Sequence, residues 1–248
     1  MVIGNHPDGR NINLNCGSTH PELLAEFVVK EERDFGVAFD GDGDRAIFVT
    51  AEGQVVDGDA VLLMCALHRQ SIGLLPGSAI VATVMSNIGL EIKLREHGIT
   101  TVRCAVGDKY VADEMQKRGI ALGGEQSGHV IFSEHLPTGD GLATAMAVLR
   151  VMADTGRSLA SLAGDLVAYP QVLVNVRVRE KRPLESEPDV HAIVKRVEKQ
   201  LEGEGRLLVR YSGTEPLLRI MIEGRDQAQI RGWAEEIGNA VRRRWAVS

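Results

Sequence analysis

Two rhythms of hydrophobic placement run along the 248-residue chain. One is the short apolar run of a buried strand; the other is the three-and-four spacing of a half-buried helix. Near the start, "VIG" predicts a strand, followed by a turn rich in Asn, Asp and Gly. A helix comes next, with Thr19 and Glu22 at capping-box spacing and Leu23, Leu24, Phe27 and Val28 on one face. "GVAF" and "AIFVT" predict two strands, and "AEGQ" the turn into "VVDG". From 56 to 165 the two patterns alternate. Residues 59–69 predict a helix, "SAIVATVM" a buried strand, and Ser86 stands where it can cap a helix that stops at Gly98. Strand "TTVRCAV", helix "DKYVADEMQKRG", strands "IALGG" and "HVIFS", and helix "GLATAMAVLRVMA" follow, the last apolar on nearly every face. This alternation implies α/β architecture around a buried sheet.

The C-terminal third has another order. Strand "QVLVNVRV" leads into a polar stretch, "REKRPLESEPD", at 179–189. A helix then carries Val190, Ile193, Val194, Val197 and Leu201 on one face. After strands "RLLVRYS" and "LLRIMIEG", a final helix begins at Asp226 and places Ile230, Trp233, Ile237, Val241 and Trp245 on one side. Strand–helix–strand–strand–helix predicts a small α+β domain. The expected divisions are 1–55, 56–165 and 166–248.

Composition narrows the function classes. With 44% hydrophobic and 25% charged residues and a net charge of −6, the chain offers no electrostatic ground for nucleic acid or an anionic membrane. Aromatic residues make up only 4%, too few for a base-stacking surface. No apolar run reaches the about 18 residues of a membrane span. The opening MVIGNHPDGR lacks the regions of a signal peptide. Cys16, Cys65 and Cys104 are odd in number and far apart, fitting neither a disulfide framework nor zinc spacing. They are expected to be reduced core thiols in a cytoplasmic protein.

Chemistry enters at "FDGDGDR", 39–45. Residues two apart in an extended strand end face one way, so Asp40, Asp42 and Asp44 converge, with Gly41 and Gly43 letting the backbone curve. Three hard oxygen donors on one side describe a Mg²⁺ site, and the cation offsets their mutual repulsion. An EF-hand is excluded, because its sixth and twelfth positions hold Arg45 and Ala51. The segment also matches most of the haloacid-dehalogenase motif D-x-D-x-[TV], with Asp44 at its last position, which would make Asp40 a nucleophile and Asp42 a general acid/base.

Two further motifs carry polar groups on tight loops. In "LGGEQSGHVIF", Gly124 and Gly128 permit a turn that projects Glu125, Ser127 and His129 from a sheet edge, suited to vicinal sugar hydroxyls. In "VRYSGTEPLLRI", Ser212, Gly213 and Thr214 offer hydroxyls and successive N–H groups for an anion, bracketed by Arg210 and Arg219. A metal, a sugar and a phosphate together suit phosphoryl transfer, for which Arg45 and Lys109 are candidate cationic or proton-transfer groups. A sugar-phosphate binding module without chemistry uses the same two loops.

"FDGDGDR", "GGEQSGH" and "RYSGTEP" stand in the order found in the α-D-phosphohexomutase superfamily, which the chain resembles over essentially its whole length. "NINLNCGSTHPE" (11–22) and the Gln of "GEQSGH" resemble the glucosamine-phosphate branch more than the mannose or glucose branches. The resemblance implies interconversion of glucosamine 6-phosphate and glucosamine 1-phosphate, through a phosphoserine and a bisphosphorylated sugar, on the route to UDP-N-acetylglucosamine. It implies a mixed-sheet α/β domain, preceded by a partial α/β domain bearing the metal loop and followed by a smaller C-terminal α+β phosphate-binding domain. By motif, Asp40, Asp42 and Asp44 would hold Mg²⁺ against the phosphoserine, with Arg45 beside the transferring group and Lys109 at a proton-transfer position. Glu125 and Ser127 would bind sugar hydroxyls. Arg210, Ser212, Gly213, Thr214 and Arg219 would hold the other phosphate.

One departure matters: the family's T-[AS]-S-H-N-P phosphoserine loop is absent from these residues. "GSTHPE" mimics it, but it lies just upstream of the metal loop, where Ser18 is expected to be a turn residue. The chain therefore resembles the end of a second domain and all of a third and fourth. Alone it is expected to be inactive and to bind Mg²⁺ weakly. Its expected partners are a hexosamine phosphate and the N-terminal part of the same enzyme. Apolar surface on 1–55 leaves self-association, including a homodimer, open.

Overall fold

The computed structural model describes residues 1–212 and 215–245, which fall into two compact units, Met1–Val167 and Ala168–Ser248. In the first unit, α1 (Glu22–Lys30) precedes β1 (Phe35–Phe39), β2 (Ala46–Thr50) and β3 (Val55–Val56), an antiparallel sheet in the order β1-β2-β3. α2 (Gly58–Ser71), β4 (Ala79–Thr83), α3 (Ile88–Glu96), β5 (Thr100–Cys104), α4 (Asp108–Arg118), β6 (Leu122–Gly124), β7 (Val130–Phe132), α5 (Gly141–Thr155) and α6 (Leu159–Ala163) complete it. The second sheet runs β5-β4-β6-β7, with β4 parallel to β5 and β6, and β7 antiparallel to β6. It is a mixed sheet, as the fold class requires.

Strand periodicity explains how this sheet divides its core. Ile80 and Ala82 of β4 face a layer containing Leu62, Leu63, Leu90, Val148 and Leu159, from α2, α3, α5 and α6. Val81, between them, faces the opposite layer, where α4 supplies Val111 and Met115. The second unit contains β8 (Gln171–Arg177), α7 (Pro188–Leu201), β9 (Gly205–Tyr211), β10 (Leu217–Gly224) and α8 (Gln227–Trp245). Its antiparallel sheet, β8-β10-β9, packs Val172, Val176, Ile220 and Ile222 against the apolar faces of α7 and α8.

Several local expectations fail for physical reasons. "VIG" forms no strand. Thr19 does not cap α1; Pro21 occupies that place without a side-chain cap. Asn87, not Ser86, caps α3 through Gly89 N, and Ser86 is buried instead. α5 is apolar on nearly every face as expected, and Leu142 and Met146, one turn apart, leave part of that apolar surface 65% and 60% exposed. The short α6, capped by Ser158, was not foreseen. All three cysteines are free and Cys65 and Cys104 are buried, but Cys16 is only partly so. Burial pushes the Cys65 thiol up to about 12 and the Cys104 thiol up to about 11.

Candidate functional site

The aspartate loop occupies the bend between β1 and β2. Asp40, Asp42 and Asp44 each present a carboxylate oxygen, and these atoms all lie within 4.8 Å of one another. Backbone contacts hold the bend. Arg45 N–H donates to Asp40 Oδ1 (3.1 Å), and Gly43 N–H donates to the Asp40 carbonyl (3.2 Å). Gly141 N–H, opening α5, donates to the Gly43 carbonyl (2.8 Å). Arg45 Nε stands 3.6 Å from both Asp40 Oδ2 and Asp44 Oδ1, so the arginine faces two of the three acids.

The donor set suits a hard divalent cation. Asp44 Oδ1 is buried without a hydrogen-bond partner, and Arg45 Nε, at 3.6 Å, faces it from beyond hydrogen-bond distance. Arg45 offsets one of the three negative charges, and a divalent cation would offset the other two.

The loop between β6 and β7 lies directly against this bend. Ala46 N–H donates to the Gly128 carbonyl (3.1 Å), and Arg45 and His129 form an isolated antiparallel bridge. Within the loop, Glu125 N–H donates to the His129 carbonyl (2.9 Å) and Gly128 N–H to the Glu125 carbonyl (3.0 Å). Glu125 Oε1 accepts Gly107 N–H (3.0 Å), two residues before exposed Lys109 at the start of α4. Ser127 is exposed. The structure thus gathers Asp40, Asp42, Asp44, Arg45, Glu125 and the turn that carries Lys109.

His129 does not project from the sheet edge. It is 2% exposed, with Nδ1 2.9 Å from Asp44 Oδ2, while Nε2 accepts Gly139 N–H (3.1 Å).

α2 braces the same loop from behind. Gly58 N–H donates to the Gln126 carbonyl (2.9 Å), and Gln126 Nε2 donates to Asp57 Oδ2 (3.1 Å). Asp59, fully buried one residue on, accepts Asn87 N–H on Oδ2 (2.8 Å). Burial raises its carboxyl from 3.8 to about 7, against the lowering effect of that hydrogen bond.

In the second unit, Arg210 of β9 and Arg219 of β10 are cross-strand neighbours, so two guanidinium side chains leave one face of the sheet. Ser212 is buried, its N–H donating to the Leu217 carbonyl (2.8 Å) and its Oγ accepting Glu215 N–H (3.3 Å). Lys181 Nζ donates to the Ser212 carbonyl (2.7 Å), a cation that the motif did not reveal. Gly213 and Thr214, expected to complete the anion loop, lie outside the described residues.

Residues 57–169 match the model of phosphoglucomutase/phosphomannomutase alpha/beta/alpha domain III, and residues 173–240 that of the same family's C-terminal domain. The chain belongs to the phosphoglucomutase/phosphomannomutase family. The chain is 54% identical over 243 residues to a phosphoglucosamine mutase of Solibacter usitatus, covering 98% of this chain and 54% of that protein. A phosphoglucosamine mutase of Syntrophotalea carbinolica is 49% identical over 247 residues, with 100% and 54% covered. The chain spans about half the length of the curated relatives it matches.

Among solved structures, a phosphoglucomutase/phosphomannomutase family protein of Burkholderia thailandensis superposes with a TM-score of 0.70 at 25% identity, over 92% of this chain and 51% of that one. Aspergillus fumigatus N-acetylphosphoglucosamine mutase gives 0.72 at 21%, over 95% and 53%. These phosphohexomutase neighbours share the fold of the chain. Motif spacing singled out the acids and the Gly-rich loop, which the structure brings together. It did not foresee the contact of His129 with Asp44, because the two are 85 residues apart.

Proposed function

We propose that the chain is the C-terminal portion of a phosphoglucosamine mutase that interconverts glucosamine 6-phosphate and glucosamine 1-phosphate in the cytoplasm. The observation that carries the reading is the convergence of three carboxylates and Arg45 on the loop bearing Glu125 and Ser127. Identity near one half to phosphoglucosamine mutases over the whole chain supports the choice of sugar. Asp40, Asp42 and Asp44 would hold Mg²⁺, which supplies positive charge against a transferring phosphoryl group. The crystal structure of the A. fumigatus enzyme in complex with GlcNAc-6P and magnesium supports that choice of ion and ligand.

Arg45 lies beside the same group in this reading. Glu125 Oε1 is engaged by Gly107, so Oε2 is the oxygen left to accept a sugar hydroxyl, with Ser127 beside it. Lys109 gives or takes the hydroxyl proton. Arg210, Ser212, Gly213, Thr214 and Arg219 hold the phosphate that is not transferring. Residues 1–55 are the end of a second domain, 56–165 a third and 166–248 a fourth. The phosphatase reading has less support. Its motif ends in Thr or Val, and Asp44 stands at that position here.

No T-[AS]-S-H-N-P loop occurs in these residues, so the chain alone is expected not to turn over glucosamine 6-phosphate. The test mixes or fuses it with the N-terminal half of a phosphoglucosamine mutase and follows glucosamine 1-phosphate with Mg²⁺ present. Activity that Asp40→Asn abolishes is expected. A correctly folded hybrid that acts on no hexosamine phosphate would overturn the reading.

A further inference from the structure

We propose that Lys181 is a positioning residue for the end of the β9–β10 hairpin, fixing Ser212 where that end receives a phosphate. The inference rests on the reading of Arg210, Ser212 and Arg219 as a phosphate site. The polar stretch that follows β8 is fastened at three points of its backbone. Val178 N–H donates to the Pro216 carbonyl and Arg179 N–H to the Trp245 carbonyl, each at 3.0 Å. Tyr211, the last residue of β9, takes both backbone groups of Arg182. Its hydroxyl accepts the Arg182 N–H (3.0 Å) and donates to the Arg182 carbonyl (2.6 Å). This clamp on Arg182 places the residue before it, Lys181, beside the residue after Tyr211, Ser212. Lys181 Nζ donates to the Ser212 carbonyl at 2.7 Å.

Ser212 is 3% exposed, and each of its polar groups has its own duty. The N–H donates to the Leu217 carbonyl, Oγ accepts Glu215 N–H, and the carbonyl takes the ammonium of Lys181. The hydroxyl hydrogen finds no acceptor among the described residues, so it is the group left to donate to an anion. Removing Lys181 would strand a buried carbonyl, and the peptide that aims the hydroxyl would lose its anchor. Lys181 also brings charge. It forms no ion pair among the described residues, and neither does Arg210. A carbonyl uses one of the three ammonium donors and leaves the positive charge uncompensated. That charge stands at the same end of the hairpin as the two guanidinium groups, where a phosphate dianion would complement it.

The test titrates the full chain with inorganic phosphate and with glucosamine 6-phosphate by calorimetry. Lys181→Met is expected to weaken both about tenfold, with the melting temperature in the absence of phosphate little changed. Lys181→Arg keeps the donor and the charge and should restore most of the affinity. Tyr211→Phe releases Arg182 and should weaken binding in the same direction. Combined with Lys181→Met it should add little, because both act through one contact. Arg210→Met removes a binding group outright and serves as the control. Nitrogen NMR of the wild-type ammonium needs no variant, and the Lys181 Nζ signal should move as phosphate is added. Equal affinity in wild type and folded Lys181→Met while Arg210→Met loses binding, or a Lys181 signal unmoved by saturating phosphate, would overturn the positioning role and leave the phosphate site intact. A wild-type chain that binds neither probe, or one indifferent to Arg210→Met, would overturn the site and this role together.

Discussion

Gly58→Ala tests how the sugar loop is held. Gly58 opens α2 with its backbone flush against the β6–β7 loop. A Cβ there would lie 2.8 Å from Gly128 N and 3.1 Å from Gln126 C, with the Glu125 carbonyl oxygen closer still. All three obstacles are backbone atoms, so no rotamer change relieves them. Either the loop or the first turn of α2 must retreat. Retreat lengthens the Gly58 N–H bond to the Gln126 carbonyl, now 2.9 Å. Overpacking of this kind costs about 1–3 kcal/mol, and the lost hydrogen bond adds about 1 kcal/mol. A total of about 2–4 kcal/mol lowers the melting temperature of a unit this size by about 4–16 °C. Calorimetry reads that shift, and hydrogen exchange at Glu125–Gly128 should accelerate with it. A melting temperature within about 1 °C of the parent, with the loop amides equally protected, would refute the reasoning.

Three further outcomes are expected. Asp59 ionises near 3.8 when unfolded and about 7 when folded, so its contribution is full at low pH and is lost as pH rises through about 7. Asp59→Asn should therefore gain on the parent above that pH, by up to about 4 kcal/mol; urea midpoints at low and high pH that keep a constant gap would deny it. Glu223 is fully buried, with Arg206 Nε at 2.8 Å and a second guanidinium nitrogen at 2.6 Å from its Oε2. Arg206→Met should cost about 3–5 kcal/mol in chemical denaturation, and a loss below about 1 kcal/mol would show that the carboxylate finds other relief. Gly232 lies inside α8 with open space where a Cβ would sit, so Gly232→Ala should stabilise the second unit by about 0.8–1.0 kcal/mol. A drop in its melting temperature would contradict that.

Elements with a strong period were legible before any coordinates. α7 and α8 fall where apolar residues recur at three and four, and β4 where an unbroken apolar run needs two cores. Elements that depend on partners were not. "VIG" has the composition of a strand and no neighbour to pair with, and Thr19 has the spacing of a cap but Pro21 takes its place. Ser86 and Asn87 are equally good caps on paper; the buried carboxylate of Asp59, taking Asn87 N–H, settles the start of α3 one residue later. In the candidate site the same division holds. Convergence of Asp40, Asp42 and Asp44 was expected from alternation along a strand end, whereas a bend closed by Gly43 N–H on the Asp40 carbonyl produces it. The burial of His129 and the approach of Lys181 to Ser212 come from tertiary contacts that no local pattern encodes.

Arg210 and Arg219 stand opposite each other on neighbouring strands, with the exposed Glu215 3.4 Å from the second. Facing like charges loosen a strand pair, so the bare hairpin is under tension that a dianion would discharge. The C-terminal unit should therefore melt later as sugar phosphate or inorganic phosphate is added, gaining about 2.7 kcal/mol at a hundredfold excess over the dissociation constant. Metabolite supply would then govern how long this part of the polypeptide survives heat and proteolysis.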